Sequence, residues 1–93
     1  MTNKYECADE QFIQDVIAEI ARARAKFPGN SIMLVALMEE VGELAQAALH
    51  IREDKHNEWG RVHEEAVQVA VMAMRMATEG DASVATPTAE NCK

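Results

Sequence analysis

Glu39, Glu40 and Glu43 fall within about one helical turn in the run MEEVGELAQAA. Glu64, Glu65 and Gln68 repeat that spacing in HEEAVQVAVMA. Residues three and four apart share a helix face. Glu40 and Glu43 therefore form one acidic patch, and Glu65 and Gln68 form a second of the same shape. If the two helices pack antiparallel, four oxygen-bearing side chains converge. An all-oxygen donor set suits a hard divalent cation, with Mg²⁺ preferred and Mn²⁺ as the alternative. The expected metal ligands are Glu40, Glu43, Glu65 and Gln68, and such ions commonly serve phosphate chemistry.

The competing reading of a Glu-Glu-x-x-Glu run is a solvated helix face. Its carboxylates repel one another, however, and no Lys or Arg lies within a turn on either side to relieve them. The helix is apolar on its other sides, and the second acidic group sits on the candidate facing helix. A di-iron bundle would need Glu-x-x-His pairs. His63 directly precedes Glu64 and His50 lies beyond Glu43, so neither acidic group carries such a pair.

The chain has 93 residues, 48% of them hydrophobic but only 4% aromatic, a balance that favours helices over strands. Its net charge of −7 argues against nucleic-acid binding, which rests on basic contacts to phosphate. It does not argue against a nucleotide enzyme, because a divalent metal inverts the local charge. Residues 1–9 are polar and lack the apolar stretch of a secretory signal. The longest apolar run, 32–38, falls far short of the roughly 18 residues of a membrane span. A cytoplasmic location is expected. Cys7 and Cys92 fit no zinc motif; they are either free thiols or a disulfide tying the termini.

Three elements must position the acidic groups. After an arm at 1–8, Asp9 is placed to cap a first helix reaching about Lys26. Phe12, Ile13, Val16, Ile17, Ile20 and Ala21 recur there at helical spacing, with Asp15 and Glu19 on other faces. Phe27-Pro28-Gly29-Asn30 breaks that helix. Asn30 or Ser31 caps a second, running from Ile32 to about Arg52. A polar connector leads to a third, from Asn57 or Glu58 to Glu79, with Gly80 as its stop. The helical domain spans 9–80, and 81–93 is expected to be a flexible tail. The second and third helices are apolar nearly all round, more than one hairpin can cover. The fold class expected is therefore an all-α antiparallel bundle of three to four helices completed by oligomerisation. EEVGELAQAA also aligns on EEAVQVAVMA as an imperfect internal repeat.

MEEVGELAQAA followed by a second acidic helix resembles the MazG-like, all-α nucleoside triphosphate pyrophosphohydrolases. Their pattern is Glu-Glu-x-x-Glu on one helix and Glu-x-x-Asp on a later one. Residues 39–43 carry the first half with its Gly-Glu-Leu-Ala flank, and Glu65-Ala66-Val67-Gln68 occupies the second. The resemblance covers roughly residues 10–79, including the KFPG turn, and is strongest to the short single-domain members of phage and mobile elements. It implies Mg²⁺-dependent hydrolysis of NTPs or dNTPs to the monophosphate and pyrophosphate by a homodimer or homotetramer. It also implies that Glu40, Glu43 and Glu65 are ligands, and that Glu39 holds a second metal or orients the attacking water. Gln68 departs from the family's Asp and offers one neutral oxygen. The competing function is a catalytically weak or inactive helical dimer that binds nucleotide or regulates a partner.

Triphosphate charge left over must meet cations. Arg61, Arg75, Lys55, His56 and Lys26 are the candidates, although Arg75 is equally placed to pair with Glu79. Trp59 either stacks on a base or anchors the core or an interface. Among the methionines, Met33, Met38, Met72, Met74 and Met76 are mostly core, with some lining an adaptable base pocket.

Overall fold

The computed structural model describes residues 3–29, 32–54 and 57–88. It holds α1 (Glu6–Lys26), α2 (Met33–Asp54) and α3 (Trp59–Glu79). The all-α class is as expected, and among the described residues the only β-type pairing is an isolated bridge between Asp81 and Ala85. Among the described residues, no helix is long and apolar enough to cross a membrane.

Helix α1 begins before Asp9, which lies in its first turn with Glu6 and does not cap it. Both carboxylates face the positive end of the helix dipole, and Arg24 and Lys26 face the negative end. The chain leaves α1 when the Phe27 N–H bonds to Ala23 O, and Gly29 then takes φ +104°. Asn30 and Ser31, read as caps for α2, lie outside the described residues.

Helix α3 is the middle element. It packs against α1 on one side and α2 on the other, and α1 and α2 do not pack on each other among the described residues. Val16 and Ile20 of α1 meet Val67 and Val71 of α3 in the main core, with Phe12, Ala23 and Ala70 around them. Met33, Ala47 and Val62 are also buried. The arrangement leaves a trough over α3 between the outer two helices.

The start of the expected tail is tied down. Gly80 ends α3 at φ +80°, and its N–H bonds to Met76 O. A Cβ at Gly80 would run into the Ala85 carbonyl oxygen and stand 2.8 Å from Pro87 Cδ, so a side chain is excluded. The turn that follows buries Asp81, whose Oδ2 accepts the Leu34 N–H at 2.7 Å. Asp81 thus caps α2 from far along the chain and satisfies a first-turn N–H. Its Oδ1 accepts from the Ser83 N–H and hydroxyl. These donors hold its carboxyl below the usual carboxylate range, the Leu34 N–H foremost. Residues 89–93, including Cys92, lie outside the described residues, and Cys7 is exposed with a free thiol.

Candidate metal centre

Glu40, Glu43 and Glu65 converge, each with a carboxylate oxygen within 4.8 Å of the others. Glu40 and Glu43 come from α2 and Glu65 from α3. On α2, Ala36, Glu40, Glu43 and Ala47 follow one another at helical spacing along the side that meets α3. Glu39 points about 100° away from Glu40, is exposed, and stays outside the cluster.

The site is electrostatically strained. Glu40 is pushed up to about 7, first by burial and then by the charges of Glu43 and Glu65. Burial is also the first cause raising Glu65, followed by its hydrogen-bonding contact with Glu43 and Glu43's charge. Arg61, itself exposed, pulls Glu65 the other way. Oε2 of Glu40 and Oε2 of Glu65 are buried with no hydrogen-bond partner among the described residues. Buried polar atoms are rarely left so, and an unsatisfied carboxylate oxygen is costly. A hard cation is the partner this donor set fits. The residues present therefore suit Mg²⁺ or Mn²⁺.

Gln68 does not join the cluster through its amide nitrogen. Its Nε2 donates to Glu19 Oε2 on α1 at 2.9 Å. The cause is the helix wheel. Gln68 lies about 60° round α3 from Glu65, so Glu65 turns to α2 while Gln68 turns to the trough and α1. Glu19 is also paired with Arg22, at 2.8 Å. Gln68, and then Arg22, hold the Glu19 carboxyl below its ordinary range against the opposing effect of burial. Asp15, a turn earlier, accepts or shares a proton with His63 Nε2 at 2.7 Å. The sequence reading placed Asp15 and Glu19 off the apolar face and gave them no role. The missed signal was the stripe Asp15, Glu19, Arg22 and Lys26, which keeps helical spacing beside the core face.

Arg75 is buried at 3% exposure and engaged within the protein. Its Nε and NH2 groups donate to Glu79, and NH2 also donates to the carbonyls of Phe27 and Gly29. It pairs with Glu79, as the second of its two sequence readings has it. Arg75, with Arg24 assisting, holds Glu79 down to about 2. Trp59 opens α3 and is 62% exposed, so within the single chain it anchors no core. Lys55 and His56, read as phosphate ligands, lie outside the described residues. Lys26 is exposed, its Nζ 5.3 Å from the centre of the Phe27 ring.

The chain has no significant match among family models, curated proteins or solved structures.

The cluster predicts an inverted pH response. A carboxyl with a raised folded-state pKa binds its proton more tightly folded than unfolded, so stability falls as pH rises between the two values. Metal-free protein should therefore lose melting temperature from about pH 5 to about pH 8. Millimolar Mg²⁺ held by these carboxylates would offset that loss at the upper end, because a cation favours their ionised form. Calorimetry at a series of pH values with EDTA or Mg²⁺ reads both slopes. A melting temperature that rises across this range in EDTA would show that the carboxylates are not held close.

Proposed function

We propose that this chain is a Mg²⁺-dependent nucleoside triphosphate pyrophosphohydrolase of the MazG-like kind. It would convert an NTP or dNTP and water into the monophosphate and pyrophosphate. The observation that carries the reading is the convergence of Glu40, Glu43 and Glu65 with two buried carboxylate oxygens left unpartnered among the described residues. Bound Mg²⁺ would supply charge neutralisation and Lewis acidity toward triphosphate oxygens. Glu40, Glu43 and Glu65 would hold it. Glu39, exposed and outside the cluster, takes no part in this set within the single chain; a role with a second metal or the attacking water would need a rotamer or partner that brings it in. Arg61 is the exposed cation nearest the cluster in sequence and the first candidate for the substrate's remaining charge, and Lys55, outside the described residues, is the second.

The working form is proposed to be a homodimer or homotetramer. Leu34, Met38, Val41 and Leu49 recur at helical spacing along α2 and are all exposed. Val35 borders them at 58% exposure. An apolar strip on that scale marks an interaction surface in a small chain.

A second reading, a nucleotide-binding or regulatory dimer without turnover, is favoured by the Gln68 amide pairing with Glu19. One experiment separates the two. Purified protein is incubated with each NTP and dNTP and Mg²⁺, pyrophosphate release is measured, and sedimentation is run on the same sample. Metal-dependent release by an oligomer supports the enzyme. Oligomer and nucleotide binding without release supports the regulatory module. A monomer that neither binds nor hydrolyses nucleotide removes both.

A further inference from the structure

The trough between α1 and α2 holds a cavity of about 590 Å³. Its walls include Met33 and Ala36 of α2 and Met72 of α3, with Phe27 where the chain leaves α1. Gln68 and Glu40 also line it, so the cavity reaches the acidic cluster through Glu40. Mostly apolar walls with a few placed polar groups are the usual make-up of a small-molecule site, and the volume falls within the usual range. Methionine walls adapt to flat rings and make favourable sulfur–aromatic contacts.

Glu19 fixes how the Gln68 amide is presented. An ionised carboxylate only accepts, so it must face the NH2 side of the amide. The Nε2–Glu19 bond leaves one amide N–H and the carbonyl oxygen of Gln68 for a further partner, with the amide plane held from one side. A donor and an acceptor on one amide suit the mixed donor and acceptor groups of a nucleobase edge. We propose that Gln68 is a specificity-determining residue that reads the base of the nucleotide in this cavity. Glu19 is its positioning residue, and the phosphates extend to the Glu40 end. The inference rests on the nucleotide reading above. It places the departure from Asp at position 68 in base recognition and leaves the metal to Glu40, Glu43 and Glu65.

The test uses full-length protein with ¹³C-methyl-labelled methionine. It is titrated with Mg²⁺ plus each nucleoside triphosphate, and with Mg²⁺ plus inorganic triphosphate as the base-free control. Met33 and Met72 line the cavity, while Met74 is exposed, lies outside the α2 strip and serves as the reference. The nucleotides should move the Met33 and Met72 methyl signals saturably, and inorganic triphosphate should not. Gln68→Met keeps the side chain's length and removes both polar groups. It should weaken nucleotide binding at least about tenfold and leave inorganic triphosphate binding unchanged. Glu19→Gln should weaken nucleotide binding less and narrow the difference between bases. Unmoved Met33 and Met72 signals in the parent overturn the proposal, as do equal shifts with inorganic triphosphate. So does a Gln68→Met loss that is the same for both ligands. Methyl shifts without pyrophosphate release keep the base pocket and remove the hydrolase. Release without methyl shifts does the reverse.

Discussion

Glu40→Gln is expected to abolish Mg²⁺-dependent pyrophosphate release and, at the same time, to stabilise the metal-free protein. The two effects share one cause. Glu40 is the carboxylate pushed up to about 7 by burial and by the charges of Glu43 and Glu65. Removing its charge relieves that repulsion at a cost of no core volume, since Gln has nearly the same shape. Above pH 7 the gain should be on the order of 1 kcal/mol, several degrees in melting temperature for a chain this small. The loss of turnover should be at least about 100-fold, because a neutral amide is a poor ligand for a hard cation and the cluster keeps only Glu43 and Glu65. Thermal stabilisation by Mg²⁺ should shrink in parallel, since it scales with the affinity for the folded state. Glu43→Ala should lose turnover as well but gain less stability, because Glu43 is exposed. Paired activity assays and thermal melts, with and without Mg²⁺, read all of this. A Glu40→Gln variant that retains turnover, or one destabilised without metal, would remove Glu40 from a metal centre.

The sequence placed the helices well because their signals are local. Phe12, Val16 and Ile20 recur at helical spacing, and Gly80 stops α3 at a positive φ that glycine accepts readily. Glu40, Glu43 and Glu65 could be grouped because spacing alone puts the first pair on one face. Two features escaped for one physical reason: they depend on where a third element lies. Gln68 was grouped with Glu65 as if α3 met a single helix. With α1 on its other side, the small rotation between the two residues brings the Gln68 amide nitrogen to Glu19, a contact the two-helix picture could not show. Asp81 read as the first residue of a tail. No local pattern could show that it caps α2 across the fold, since its partner, the Leu34 N–H, lies 47 residues earlier. The apolar strip on α2 was legible as apolar sequence, and it stays exposed in the single chain.

Arg75→Met should lower folding stability by about 3 kcal/mol, the cost of breaking a buried ion pair from one side. The arginine is 3% exposed and joins three places. It makes a two-point contact with Glu79, at 2.8 and 2.9 Å, and bonds the carbonyls of Phe27 and Gly29 at 2.8 and 3.2 Å. Methionine fills the apolar part of the space and supplies none of the donors. Two turn carbonyls then lose a partner, and Glu79 keeps Arg24, whose Nε stands 2.8 Å away. That surviving partner holds the loss toward the lower end of the range for broken buried pairs. Arg75→Lys should recover little, because one ammonium cannot reproduce a fork that serves a carboxylate and two carbonyls. Urea denaturation should show a lower midpoint with an unchanged slope. A phosphate-binding arginine would behave differently: its loss would raise KM while leaving the urea midpoint near the parent's. The denaturation midpoint and KM, measured on the same variant, thus decide whether residue 75 serves the fold or the substrate. The four bonds it makes inside the protein put it with the fold.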